Sequence, residues 1–307
     1  MLRALFIYLS ESRRLRALAE HSLGQKFSSR FVAGTQVDDV LRATRTVNDA
    51  GMGVSIDNLG ENVTNVEEAR ASAALYHQLL DDIAAQKLNA NISLKLTHMG
   101  LDVDEKLAYD QVSSLVAQAA AMKPQNFVRV DMEGSPYTQR TLDFVHELHR
   151  RPGHQGCVGA VIQSYMRRSE SDVEKLLSEG IRIRLCKGAY KEPPEIAFQK
   201  KSEVDENYVW LMKILMKSKV YHGLATHDEK IINQAKAFAL QEKIPRDAFE
   251  FQMLHGIRRD LQQRLVKDGW RMRVYIPFGT EWYPYLMRRL AERPANVLFL
   301  AKNLLRR

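Results

Sequence analysis

Short apolar runs of period two alternate along the chain with longer segments whose apolar residues recur every three or four positions. The short runs read GMGVSIDNLGE from Gly51, NISLKLTHMG from Asn91, FVRVDMEGS from Phe127 and VGAVIQSY from Val158. They continue as IRIRLCKGAY from Ile181, YHGLATHD from Tyr221, FEFQMLHG from Phe249 and RMRVYIPFG from Arg271. Between and after them lie helical patterns such as NVEEARASAALYHQLLDDIAAQ, DEKLAYDQVSSLVAQAAAM, DENYVWLMKILMK and EWYPYLMRRLAER. Several open on a capping Ser, Thr or Asp, and two close on Gly180 and Gly269. Strand then helix, eight times over, predicts an α/β fold, a (βα)8 TIM-type barrel. The barrel takes residues 51–307, and residues 1–50 read as an extra N-terminal helical segment.

The period of two divides each strand into two faces. Ile92 and Leu94 oppose Ser93 and Lys95; Val128 and Val130 oppose Arg129 and Asp131; Ile183 and Leu185 oppose Arg182 and Arg184; Val274 and Ile276 oppose Arg273 and Tyr275. Helices cover the outside of such a barrel, so the polar set must point inward, together with Glu133, Gln163, Glu250 and Asp57. Low in the strands, around Arg129 and Arg182, the expectation is a self-neutralising ion network that fills the floor. At the C-terminal strand ends, where barrel sites lie, fall Lys95, Asp131, Gln163, Arg184, Lys187, His227 and Tyr275.

Composition narrows the classes. The 307 residues are 45% hydrophobic and 27% charged, an ordinary globular mixture. No apolar run approaches the ~20 residues of a membrane span, and the N-terminal LRALFIYLS reads as helix and not as a signal peptide. Two lone cysteines, Cys157 and Cys186, suggest a reducing compartment. A net charge of +8 fits nucleic acid, an anionic membrane or an anionic ligand, or a plain scattered basic surface. Inward-facing charges count against nucleic acid. No glycine-rich dinucleotide loop, phosphate loop, nucleophile elbow or H-E-x-x-H is present, and no metal is expected. Two chemistries remain: a Schiff-base lyase using Lys95 or Lys187, or cations that hold an anionic cofactor and a carboxylate substrate. Arg288 and Arg289, in a helix with Trp282, Tyr283 and Tyr285 directly after the eighth strand, favour the second.

The ordered motifs SLKLTHMG, VRVDMEGSP, QSYMRRS, RLCKGAYKEP, LATHD, FEFQMLHG and YIPFGTEWYPYLMRRLAERP run from about Gly51 to Pro294. In that combination the chain resembles the FAD-dependent proline dehydrogenases of the monofunctional bacterial type, since no aldehyde dehydrogenase domain follows the barrel. The resemblance implies a distorted barrel that oxidises L-proline to pyrroline-5-carboxylate by hydride transfer to FAD. Electrons then pass to a membrane quinone, and a separate pyrroline-5-carboxylate dehydrogenase takes the product. It implies that Lys95, Arg288 and Arg289 hold the proline carboxylate and that Tyr275 packs beside the ring. Asp131 orients Lys95 near the flavin, and Arg184 donates near its N5. Met132, Gln163, Lys187, Gly188, Ala189, Thr226 and His227 contact the cofactor. Glu61 pairs with Arg288 as a gate. The location implied is cytoplasmic, with peripheral contact to the inner face of the membrane. The C-terminal NVLFLAKNLLRR suits that contact, and it equally suits a helix docked on the barrel with its basic side in water.

Overall fold

The computed structural model describes residues 30–285 and Met287. Eight parallel strands close into a barrel in chain order: β1 (Gly53–Asn58), β2 (Ala90–Leu94), β3 (Val128–Val130), β4 (Val158–Gln163), β5 (Arg182–Cys186), β6 (His222–Ala225), β7 (Phe249–Leu254) and β8 (Met272–Phe278). Helix α1 (Val37–Asp49) precedes them. Helices α2 (Val66–Ala85), α3 (Glu105–Ala121), α4 (Ser135–Arg150), α5 (Ser169–Ser178), α6 (Lys201–Lys217), α7 (Glu229–Gln241) and α8 (Arg259–Lys267) follow β1 to β7 in turn. A further helical turn begins at Trp282. The rest of the N-terminal helical segment, Arg288, Arg289 and the C-terminal NVLFLAKNLLRR lie outside the described residues. Among the described residues no helix is long and apolar enough to cross a membrane.

Asp104 caps α3 and Asp228 caps α7, in line with the capping Asp expected from the sequence, and Asn65 caps α2. Asn65 Oδ1 accepts from the Glu68 amide at 2.8 Å to start α2, and Asp104 Oδ1 accepts from the Leu107 amide at 3.0 Å to start α3. Each satisfies an N–H that the first helical turn leaves without a partner. Helix α6 begins at Lys201, one turn before the expected Asp205, after an extended Lys200 whose amide donates to the Glu203 carboxylate at 3.3 Å.

The outer strand face packs as one apolar layer against the helices. Val54, Ile56, Ile92, Leu94, Ile183, Leu185, Val274 and Ile276 are all buried in a single cluster. Each such side chain contributes about 1.5–3 kcal/mol by leaving water. Two strands are shorter than their patterns. β2 stops at Leu94 and β3 at Val130, where the chain turns away from the sheet. Thr97 and Glu133 are therefore not on strand faces: the Glu133 carboxylate accepts from the Thr97 amide at 3.2 Å and its hydroxyl at 2.7 Å, lacing the two loops together.

The barrel floor departs from the expected self-neutralising network. Arg273 pairs with Glu250 at 2.7 Å. Arg129 has no carboxylate within salt-bridge distance among the described residues. Its Nη1 donates to the Ala160 and Arg182 carbonyls at 2.9 Å each. The Arg129 and Arg182 guanidiniums instead stack on Phe127, at 4.5 and 4.1 Å from the ring centroid, where the ring's negative face stands in for an anion.

These cations hold His222 neutral. It is 1% exposed, and its Nδ1 accepts from the Ile183 amide at 3.0 Å. Desolvation, then the charges of Arg129 and Arg182, push its pKa down to about 3. Desolvation likewise lowers His98 and His255 to about 4. The unfolded chain binds protons at these sites below about pH 6.5 while the folded chain does not, so stability falls as pH falls through that window. The urea midpoint is expected to drop between pH 7 and pH 5, as the unfolding free energy falls by up to about 1.4 kcal/mol per pH unit for each histidine. The His222→Asn variant is expected to lose midpoint more slowly over that range. Parallel slopes for wild type and variant would refute this.

Candidate active site

The inward polar faces of the strands converge on Arg184. It is 6% exposed and donates in three directions. Nε reaches Gln252 Oε1 on β7 at 2.6 Å, and Nη2 reaches Ser55 Oγ on β1 at 2.9 Å. Nη1 reaches Ser93 Oγ on β2 at 3.0 Å and Asp131 Oδ1 at 2.7 Å. The guanidinium also lies 5.1 Å from the centroid of the Tyr275 ring. A planar fork with five donors can bridge strands in this way; a lysine cannot.

Asp131 is equally committed. Its Oδ1 accepts from Arg184 and from Ser93 Oγ, and its Oδ2 accepts from the Tyr275 hydroxyl at 3.0 Å. Lys95 stands just past β2, and the carboxylate within ion-pair distance of it is not Asp131 but Asp57, at 3.6 Å. Burial pulls the Lys95 pKa down, but Asp57 and then Asp131 outweigh it and hold the ammonium above its ordinary value. A Schiff-base nucleophile needs the opposite, so the lyase chemistry loses its footing at Lys95. At Lys187 the ammonium is bound by Asp205 at 2.6 Å and Asp228 at 2.9 Å.

A cavity of about 1540 Å³ opens over this layer. Lys95, Asp131, Met132, Gln163, Arg184, Tyr275 and Glu61 line it, and so do Lys187, Gly188, Ala189, Thr226 and His227. Arg288 and Arg289, with the Glu61 gate pairing, fall outside the described residues. The Gln163 amide nitrogen donates to the Glu133 carbonyl at 3.0 Å. His227 Nε2 accepts from the Leu254 amide at 3.0 Å, which leaves the proton on Nδ1 when the ring is neutral. Thr226 Oγ1 accepts from the Asp228 amide at 3.1 Å, and Asp228 caps α7 through the Lys230 amide at 3.1 Å. No group of three or more potential metal ligands occurs among the described residues.

Gly188 is held in a conformation that only glycine adopts comfortably. Its φ is 104°, and a Cβ there would stand 2.3 Å from the Tyr165 ring. The Tyr165 ring thus packs directly against the Gly188 backbone at the cavity wall.

A family model described as proline dehydrogenase matches residues 40–302. The chain belongs to the proline dehydrogenase family. It is 39% identical over 302 residues to proline dehydrogenase 2 of Bacillus subtilis, covering 98% of each chain. It is 36% identical over 282 residues to proline dehydrogenase of Deinococcus radiodurans, covering 91% of this chain and 90% of that one. Among solved structures it resembles proline utilization A of Bdellovibrio bacteriovorus inactivated by N-propargylglycine, with a TM-score of 0.83 and 26% identity. That match covers 94% of this chain and 36% of the other.

Family membership agrees with the oxidoreductase reading of the motifs. Several cavity residues carried little sequence signal. Asp57 showed only as the last polar residue on the inner face of β1. Asp205 and Asp228 gave no hint of meeting Lys187, since one is in α6 and the other caps α7.

Proposed function

We propose that the chain oxidises L-proline to pyrroline-5-carboxylate on bound FAD, with the electrons passed to a membrane quinone and the product to a separate pyrroline-5-carboxylate dehydrogenase. The substrate follows from the family. One observation carries the reading onto this chain: Lys95, Arg184, Tyr275 and the Gly188 loop line one cavity. Its 1540 Å³ exceeds the roughly 300–1,000 Å³ of a single small-ligand pocket, which leaves room for a large cofactor and a small acid together. The residues present fit a flavin dinucleotide. Gly188 lines the cavity without a side chain of its own, and Arg184 offers a buried positive charge.

FAD supplies the two-electron acceptor when bound. Lys95, with Arg288 and Arg289, holds the substrate carboxylate. Tyr275 packs beside the ring, and its hydroxyl is pinned by Asp131. Arg184, fixed from several strands before any ligand enters, stabilises negative charge on the reduced cofactor without reorganising. Asp131 acts by fixing Arg184 and Tyr275. Its two oxygens are taken by groups other than Lys95, so Lys95 is oriented chiefly by Asp57. Met132, Gln163, Lys187, Ala189, Thr226 and His227 complete the cofactor wall, and Glu61 closes the entrance with Arg288.

The test is the visible spectrum of the purified protein, followed by L-proline without oxygen or quinone. A flavin spectrum that bleaches is the expected result. A flavin spectrum that proline leaves untouched overturns the substrate, and a protein still colourless after incubation with FAD overturns the cofactor. The Gly188→Ala variant adds a second measure. Its φ costs about 1–3 kcal/mol for a side chain, and the methyl collides with Tyr165. The variant is expected to fold, by circular dichroism, yet to retain flavin about tenfold less well on gel filtration.

A further inference from the structure

Of the carboxylates that line this cavity, the protein treats Asp57 and Asp131 oppositely. Asp131 receives three donors. Asp57, at the mouth end of β1 and 1% exposed, receives no good one. Its Oδ2 is buried without a hydrogen-bond partner. The Lys95 ammonium stands 3.6 Å from that oxygen, longer than a good hydrogen bond. The Tyr76 hydroxyl is 3.5 Å from Oδ1, but its proton has a better acceptor in the Ser93 carbonyl at 2.8 Å. The Tyr275 proton is committed to Asp131. Asp57 is thus a buried carboxylate, lining the cavity, with accepting capacity in reserve.

The oxidation proposed above creates a need for such a group. A cyclic secondary amine enters at neutral pH as the ammonium ion. A hydride leaves the adjacent carbon only when the nitrogen lone pair is free to form the C=N bond, so one proton must be removed. We infer that Asp57 is the general base that takes the amine proton of the substrate; the inference rests on that proposed reaction. An N–H bond breaks and an O–H bond forms at Asp57 Oδ2. The C–H bond would break with its hydrogen and electron pair leaving together as hydride for the bound flavin as acceptor, and the Asp57 proton would then pass to solvent through the cavity.

Other candidates in the cavity suit the task less well. Lys95 is held protonated. His98 is kept neutral with a pKa of about 4 by burial and by Lys95, which makes it a weak base. Asp228 is committed to Lys187 and to the α7 cap. Asp57 has the environment of a tuned base. Burial raises its pKa most, the Lys95 ammonium after β2 opposes this, and the Asp131 charge after β3 adds to it. Tyr275 on β8 and Arg184 on β5 lower it, and Tyr76 approaches from α2. Lys95 is the natural anchor for the substrate carboxylate, and the amine is two bonds from that carboxylate, so the base stands where the amine arrives.

The experiment is anaerobic flavin bleaching by L-proline, followed against pH in wild type, Asp57→Asn and Asp57→Glu holoenzymes of equal flavin content. At neutral pH the Asn variant is expected to bleach about 10²–10⁴-fold more slowly. Its rate is expected to climb about tenfold per pH unit and to approach wild type in alkali, where proline arrives as the free amine. The Glu variant keeps a carboxylate and is expected to fall between the two. A slowing that is equal at every pH, or an Asn variant as fast as wild type, overturns the inference. A wild type that proline does not bleach instead overturns the proposed reaction. If the variants do not fold, wild type decides: infrared difference spectra of dithionite-reduced holoenzyme on adding L-proline should gain a protonated-carboxyl band, and its absence overturns the assignment.

Discussion

Replacing Arg184 by methionine is expected to cost about 3–5 kcal/mol of stability and to abolish flavin bleaching by proline. Two effects compete. Removing a buried guanidinium relieves its desolvation, which favours the variant. Against this, Asp131 loses its ion-pair partner in a place where it is 13% exposed, and the Ser55, Ser93 and Gln252 oxygens each lose a donor. Taking away one partner of a buried pair leaves the other charge uncompensated, and that term is the larger. The urea midpoint should fall with the slope unchanged. Arg184→Lys keeps the charge but not the fork and should lie between. In the double variant Arg184→Met with Asp131→Asn, part of the loss should return, because the stranded charge is gone. An unchanged midpoint in Arg184→Met would refute the account.

Gly159→Ala is expected to be comparably severe, for steric reasons. A Cβ at Gly159 on β4 would stand 2.2 Å from the Arg182 carbonyl oxygen, 2.8 Å from the Phe127 ring and 3.1 Å from Arg129 Nη1. The first of these is backbone of the neighbouring strand, paired in register with Gly159. It cannot yield without opening the β4–β5 ladder. Ordinary overpacking costs about 1–3 kcal/mol; here the methyl also displaces Arg129 from two carbonyls and an aromatic face. A loss of about 3 kcal/mol or more, seen as low soluble yield and a reduced melting temperature, is the expected outcome. A melting temperature within a degree or two of wild type would show that the floor can adjust.

Period-two alternation made the barrel legible. It put Arg184, Asp131 and Tyr275 on one inward face from sequence alone, because a covered barrel has no other place for polar residues. It said less about where strands end. β2 and β3 stop early because Thr97 and Glu133 satisfy each other in the loops, a long-range pairing that leaves no local mark. Alternation gives a face but not a neighbour. Arg129 and Arg182 therefore looked like members of an ion network, whereas they rest on Phe127, a residue just ahead of β3. The place of Asp131 beside Lys95 was implied by the family resemblance and not by alternation; the carboxylate within ion-pair distance of Lys95 is Asp57.

The seam between β1 and β8 bears on how the chain is made. These strands pair over six positions, from Gly53 with Arg273 to Asn58 with Phe278. Arg273 also donates to the Val54 carbonyl, 219 residues earlier in the chain. A ribosome adding about 5–20 residues per second leaves the open edge of β1 unpaired for roughly 10–45 s before β8 can reach it. Throughout that interval the nascent sheet presents unpaired backbone to any neighbouring strand. Commitment to the closed barrel therefore comes late in synthesis, and chains cut short before Phe278 should depend on chaperones and accumulate in the insoluble fraction.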